Sequence, residues 1–353
     1  MRFLFLITVV FVHACTAKEQ PCTCKSNFEW VKKTFEENDA GFQYIIDKKG
    51  QAAYNIHNQL MLKKIKEAKT LTECTELLNE WLKFFRSGHT GIERLTKKTP
   101  VSQTTNINSQ NFHNPYMEEL NTTTLYLRIP SFGYGEKSAI DKVIADNKNK
   151  IFKMENLIID LRNNGGGSDQ SFAELLPLIY TNPVRTISTE FLSTVPNNQR
   201  FLDWSLNTDL DEDTRQWAKN IYDKLHEKIG EFVNPFGEAV SIDRRDTVYK
   251  YPKNVGIIIN ERNGSTTEQF LLAAKQSKKV KLFGTTTFGA LDISNMINIE
   301  SPCKEFKLYY CQSRSMRIPG MVIDDVGLQP DFYLDKSIPQ DKWVEFVNEI
   351  LNQ

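Results

Sequence analysis

No part of this chain approaches the roughly 18 to 20 consecutive apolar residues that a bilayer-spanning helix needs, so no transmembrane helix is expected. A dominant charge is also missing. Lys plus Arg and Asp plus Glu number 44 each and are interspersed, which leaves no basic patch to attract nucleic acid and no acidic tail. Histidine (five) and cysteine (six) are scarce, and no histidine falls near Cys22, Cys24, Cys74, Cys303 or Cys311 in sequence, so no zinc site is expected. The one triple-glycine stretch lacks both the Lys-Ser/Thr of a P-loop and the spacing of a dinucleotide fingerprint, which argues against a nucleotide. No metal and no organic cofactor are expected. Internal repeats and low-complexity tracts are absent too.

Met1-Arg2, the apolar run Phe3 to Val12 and the small residues around Ala14 and Ala17 form the pattern of a signal peptide over residues 1–17, so the mature protein is expected to be exported. Val12-His13-Ala14-Cys15 also resembles a lipobox, in which Cys15 carries a lipid anchor. Soluble and membrane-attached forms are both open. In an oxidising compartment Cys303 and Cys311, which flank a hairpin-like stretch, are the expected disulfide, and Cys22 or Cys24 can tie the amino terminus to Cys74.

From Asn27 to about Phe85 apolar residues recur at three and four spacing, as in Phe28, Val31, Phe35 and Leu77, Leu78, Trp81, Leu82. This predicts an amino-terminal helical module over 18–95. A polar stretch from Thr96 to Thr123 reads as a long loop or ragged hairpin, and the remainder, 96–353, reads as one larger unit. In it strands at Thr124–Ile129, Asn156–Asp160, Val255–Ile259 and Val280–Phe283 alternate with helices at about 137–152, 171–180 and 267–277, the rhythm of an α/β layer. A mostly helical insertion interrupts it at about 185–250.

Two strand exits carry chemistry. Leu157 to Asp160 runs into Leu161-Arg162-Asn163-Asn164-Gly165-Gly166-Gly167, where backbone N–H groups unobstructed by side chains suit an oxyanion. Val255 to Ile259 runs into Asn263-Gly264-Ser265-Thr266-Thr267-Glu268 and a helix. A serine at such a helix start is either a nucleophile aided by the dipole or simply an N-cap, with Glu268 completing a capping box. Asn263-Gly264-Ser265 and Asn121-Thr122-Thr123 also match the glycosylation pattern, and a glycan on Asn263 would block Ser265; both are read as chance, because the Lys, Asn and Ile richness and the lipobox-like start lean towards a bacterium.

Together with Gly284-Thr285-Thr286-Thr287-Phe288-Gly289 and Gly327-Leu328-Gln329-Pro330-Asp331, these segments resemble the tail-specific, or carboxyl-terminal processing, protease family, which includes the tricorn core protease. The resemblance covers roughly residues 124 to 335. It implies an α/β core of the ClpP/crotonase-like kind, a peptide or protein substrate, and Ser265 as nucleophile. In the bacterial tail-specific branch a lysine base follows the Phe-Gly; Ala290 stands there in this chain, which excludes a Ser-Lys dyad. The tricorn-like branch uses serine, histidine and an acid. By that resemblance His89, in Ser87-Gly88-His89-Thr90-Gly91, is the base and Asp324 the acid, with Asp325 and Glu300 as other candidates, because a neutral imidazole needs an acidic partner. Gly165 or Gly166 and Thr266 would supply the oxyanion N–H groups. The PDZ module usual in the family has no room between His89 and Thr124. A non-catalytic ligand binder, like the related modules of interphotoreceptor retinoid-binding protein, and a non-peptidase acyl hydrolase are the rival readings. Oligomeric state is left open.

Overall fold

The computed structural model describes residues 22–95 and 114–353. The signal segment with Cys15, His113 and most of the polar stretch after Thr96 lie outside the described residues. Four helices come first: α1 (Cys24–Asn38), α2 (Phe42–Lys49), α3 (Gln51–Glu67) and α4 (Leu71–Leu82). Thr23 and Ser26 cap α1 reciprocally, and Thr70 with Glu73 does the same for α4 (Glu73 N to Thr70 Oγ1, 3.1 Å). Next come β1 (Gly91–Arg94), β2 (Tyr116–Glu119), β3 (Thr124–Arg128), α5 (Lys137–Ile151), β4 (Asn156–Asp160), the short α6 (Leu176–Ile179), β5 (Val184–Ile187) and β6 (Thr189–Leu192). Then α7 (Val195–Leu206), α8 (Glu212–His226), β7 (Phe232–Val233), β8 (Val240–Asp243), β9 (Asn254–Ile259), α9 (Thr266–Ala274) and β10 (Val280–Gly284) follow. The chain closes with β11 (Ile293–Glu300), β12 (Phe306–Ser315), β13 (Phe332–Tyr333) and α10 (Trp343–Leu351). Among the described residues no helix is long and apolar enough to cross a membrane.

The central sheet has the order β13-β10-β9-β4-β3-β2, parallel except at the β2 edge. Its strands read as continuous apolar runs because both faces are covered. Leu125, Leu127, Leu157, Ile159, Val255 and Ile257 point to one core, completed by Ile140 and Ile144 of α5 and Phe270 and Leu271 of α9. The alternate residues Tyr126, Ile158 and Ile258 point to the other face, under Trp343 and Val347 of α10. There α10 lies directly on the strand at Gly256, where an added Cβ would sit 2.8 Å from Val347. Because β4 and β9 are parallel neighbours, the glycine loop and the serine turn leave the sheet side by side, at the carboxyl ends where open α/β sheets place their sites.

A second, antiparallel sheet is built on the long β12, which pairs with β1, β11 and β6. The amino-terminal helices close over it: Phe28, Phe35, Leu78, Trp81 and Phe85 share one core with Phe306, Leu308 and Tyr310. Trp81 is fully buried here, so its truncation to alanine would cost roughly 3–5 kcal/mol. The interruption expected to be helical at 185–250 is helical only in α7 and α8; its flanks are strands, β6 joining β12 and β5 pairing with β8.

The cysteine pairing differs from the expectation. Cys22 bonds to Cys303 and Cys24 to Cys74, while Cys311 is free and buried. Cys303 and Cys311 cannot meet because the span between them is mostly one extended strand, β12, which carries Cys311 away into the core.

Candidate functional site

Asparagines lace the two strand exits together. Asn260 exchanges hydrogen bonds with Asn163 (both 2.9 Å), and the Asn263 amide donates to the carbonyls of Leu161 (2.5 Å) and Asn164 (3.0 Å). Asn263 is fully buried, so its glycosylation pattern has no acceptor in the folded protein. Thr267 Oγ1 adds a bond to Asn164 Oδ1 (2.9 Å). On this base Ser265 takes a left-handed conformation, φ 56° and ψ −127°, at the start of α9. A β-carbon makes that backbone costly, and such strain gathers where a side chain must be held out of a strand-to-helix turn.

The glycine loop presses on the turn. A Cβ at Gly166, whose φ is +105°, would lie 2.8–2.9 Å from Gly264 O, Ser265 Cβ and Thr266 N. The Gly166 N–H donates to Asn164 Oδ1 (3.0 Å), and the Ser265 N–H donates to Ala290 O (2.9 Å). Among the described residues the N–H groups of Gly165 and Thr266 have no such acceptor. Thr266 is tied to the loop through its hydroxyl, which donates to Gly167 O (3.0 Å).

His89 approaches from the other sheet, also left-handed (φ 55°). Its ring Nδ1 lies 2.7 Å from the Ile293 carbonyl, which can only accept, so the proton is on Nδ1 and Nε2 is an acceptor. Burial holds the imidazole pKa below its ordinary value, so the ring is neutral near pH 7. Arg86 Nη2 (3.0 Å) and Cys311 Sγ (3.3 Å) donate to the His89 carbonyl. Arg86 is itself bound twice by Asp39 (2.8 and 2.6 Å); burial works against its charge, but Asp39 raises the guanidinium pKa.

Asp324 does not bond the imidazole directly. Oδ1 accepts the N–H groups of Leu291 and Asp292 (2.6 Å each) and Oδ2 that of Ile293 (3.0 Å). Burial, and then the nearby Asp292 charge, raise its pKa. Asp292 accepts in turn from Asp324 N (2.9 Å) and from Arg317 Nε (2.8 Å). Of the other candidates, Asp325 only accepts a long bond from Ser87 N (3.4 Å), and Glu300 pairs with Lys304 (3.3 Å) at the far end of β11.

Glu268 is more than a cap. Wholly buried, it accepts from Thr287 Oγ1 (2.5 Å) and Gly289 N (2.8 Å) on one oxygen and from Ala290 N (2.9 Å) and Ser265 N (3.2 Å) on the other. Its place in the capping box and the Thr-Phe-Gly segment were visible in the sequence; their junction was not. Phe288, 45 % exposed, lies against Gly264 (Cβ 3.7 Å from a Cβ built there) and packs at Gly88, an apolar surface flanking both Ser265 and His89. His57 and His226 sit elsewhere, stacked on Phe84 and Tyr222. Among the described residues no cluster of His, Cys, Asp and Glu is placed to hold a metal.

The profile of peptidase family S41 matches residues 123–334. No curated protein matches the sequence. Among solved structures, a lipoprotein from Streptococcus agalactiae is similar at TM-score 0.52 and 18% identity, covering 96% of this chain and 99% of that one. Mature CPAF complexed with lactacystin is similar at TM-score 0.64 and 13% identity, covering 93% and 98%. At these identities the likeness is one of fold.

Proposed function

The chain belongs to peptidase family S41 and is a serine peptidase acting on peptides or proteins, and we propose that Ser265, His89 and Asp324 do its chemistry. Ser265 Oγ attacks the scissile carbonyl while His89 Nε2 takes its proton; the imidazolium then returns the proton to the leaving amine, and water repeats the cycle on the acyl-enzyme. Asp324 acts one peptide unit away. It fixes the backbone of 291–293, aims the Ile293 carbonyl at Nδ1–H and favours the imidazolium by its charge. The tetrahedral oxyanion is received by the N–H of Thr266 and that of Gly165, since the N–H of Gly166 is already committed to Asn164. Each such donor is worth roughly 10² to 10³ in rate.

The observation that carries this reading is the left-handed Ser265 pinned between Gly166 and Ala290 at the start of α9. A fluorophosphonate probe tests it on the mature protein. Labelling mapped to Ser265, and lost in Ser265→Ala and His89→Ala, is expected; labelling at another serine would overturn the assignment.

We also propose that the enzyme is exported through the segment 1–17, with Cys15 as the lipid-anchor alternative to a free protein. The two disulfides support an oxidising compartment. The odd cysteine, Cys311, is sealed in the core, so cleavage on either side of Cys15 leaves no reactive thiol among the described residues.

A further inference from the structure

Among the described residues Arg200, on α7, is half buried without a carboxylate partner. Other shielded arginines have one: Arg162 and Arg128 use Asp160, Arg314 uses Glu190 (2.6 Å) and Arg317 uses Asp292 (2.8 Å). For Arg200, burial pushes the guanidinium pKa down, and the phenol of Tyr134 is the group that acts against it. The side chain is nevertheless held in place. Its plane lies over Trp204 (4.4 Å), and Nη1 donates to Met296 O (3.4 Å) and, with the Gln312 carboxamide nitrogen turned to Asn197, to the Gln312 oxygen (3.0 Å). Beneath it, Asn197 anchors α7 to Asn38 O and Leu192 O (2.9 Å each). Nη1 and one face of the guanidinium are used, the Tyr134 phenol is a further hydrogen-bond partner, and among the described residues no carboxylate takes the remaining N–H groups.

Its position relates it to the site. Thr266 bonds Gly167, Gly167 bridges to Phe132, and two residues on Tyr134 reaches Arg200. Arg200 bonds Met296 on β11, and the same strand begins at Ile293, which holds His89. A line of contacts thus runs from Ser265 through the glycine loop, Tyr134 and Arg200 to the strand that holds His89. Tyr134 and Met296 are exposed along it.

We infer that Arg200 is a carboxylate-binding subsite of this peptidase, receiving an acidic group of the peptide substrate, either a side-chain carboxylate at a fixed distance from the scissile bond or the free C-terminus. A stacked, edge-fixed guanidinium presents its remaining N–H groups in the geometry a carboxylate accepts bidentately, with little rotamer freedom left to lose. A neutral group in the same place would leave the cation shielded and unpaired, so the subsite discriminates by rejection as well as attraction. The inference rests on Ser265 being the nucleophile.

The test uses the mature protein and a pool of peptides varied around the cut, with free or amidated C termini and products identified by mass spectrometry. The best-cut sequence is then made in acid and neutral pairs, Glu against Gln and free carboxyl against amide. One of the two pairs is expected to differ by about 10- to 100-fold in kcat/KM, mainly through KM, as a charged hydrogen bond in a shielded site predicts. Which pair differs identifies the source of the carboxylate. The preference should fall to within about twofold in Arg200→Gln and be intermediate in Arg200→Lys. Equal turnover of both pairs by the unmutated enzyme overturns the subsite without any variant, and so does a preference that survives in Arg200→Gln. Fluorophosphonate labelling of the same samples separates the two readings: a labelled Ser265 with no carboxylate preference sinks only the subsite, whereas no labelling and no cleavage removes both.

Discussion

Replacing Asp324 with asparagine tests how the acid reaches the base. Where a triad carboxylate bonds the imidazole directly, the same change costs about 10⁴ in kcat, because the tautomer is lost. Here the Ile293 carbonyl, not Asp324, holds Nδ1–H at 2.7 Å, and it would still do so while the asparagine oxygen keeps the N–H groups of Leu291 and Asp292. What disappears is the charge. A unit charge acting across one peptide unit at an effective dielectric of about 20 is worth roughly 2 kcal/mol, or about 30-fold in rate. The amide also turns an NH₂ towards at least one backbone N–H, costing roughly 1.5–3 kcal/mol of stability. Asp324→Asn is therefore expected to lose about 10- to 100-fold in fluorophosphonate labelling rate and kcat/KM, and to melt at a lower temperature. Because the Asp324 charge raises the His89 pKa, the acid limb of the rate profile should move to lower pH. Asp325→Asn should stay within about twofold, since asparagine accepts the left-handed backbone of that position (φ 63°). A loss near 10⁴ in an Asp324→Asn protein that still melts cooperatively would refute the route through the backbone.

Gly166→Ala places a Cβ within 2.9 Å of Ser265 Cβ and Thr266 N; labelling of Ser265 should fall by more than about 10²-fold, and an unimpaired rate would mean that the loop yields freely. Since burial depresses the His89 pKa below 6.5, peptidase activity should persist into more acid solution than an ordinary histidine base allows. The same shift weakens the fold in acid: as pH falls through about 6.5 the unfolded chain takes up the proton first. Urea melts at pH 5 and 7.5 should show a smaller acid loss in His89→Gln than in the parent. Opening the Cys24–Cys74 link, which spans a sequence separation of 50, by Cys24→Ser with Cys74→Ser should lower unfolding free energy by about 2–4 kcal/mol in urea titrations. A non-reducing digest should contain Cys22–Cys303 and never Cys303–Cys311, and native Cys311 should resist alkylation.

Much of this was legible in the sequence, and what was not has an identifiable reason. The strand at Asn156–Asp160 was readable to the residue because a strand buried on both faces is a continuous apolar run ended by polar residues. The helical module was legible from its spacing; that its core is finished by Phe306, Leu308 and Tyr310 was not, because a contact made more than two hundred residues later has no local signature. The same applies to Asp39, Arg86, Asp292 and Arg317, common residue types outside any motif that matter only through buried pairing. The Cys303–Cys311 expectation failed because closeness in sequence is no guide when the intervening chain is extended.

The segment 289–293 supports the proposed assignment of a histidine, and not a lysine, as the base. Its five successive N–H groups all donate to two carboxylates, one buried and one half-buried: Gly289 and Ala290 to Glu268, then Leu291, Asp292 and Ile293 to Asp324. Held this way, the segment presents the Ala290 carbonyl to Ser265 N and the Ile293 carbonyl to His89 Nδ1, so one stretch of backbone positions both the proposed nucleophile and the proposed base. The position that carries the lysine base in the bacterial tail-specific branch is Ala290. Its buried methyl faces Gly88, where an added Cβ would lie only 2.8 Å away. A lysine stem leaving Ala290 would enter the space through which Gly88 brings His89 to the site, and an ammonium there would oppose the imidazolium. On the proposed assignment the two bases compete for one space, and the small residue at 290 leaves room for the histidine at 89. That histidine comes from the loop after α4, its carbonyl held by Arg86 and its ring by β11. On the proposed assignment the amino-terminal helices therefore contribute to the site, because the Asp39–Arg86 pair supports, through Arg86 Nη2 on the His89 carbonyl, the strained turn that carries the imidazole.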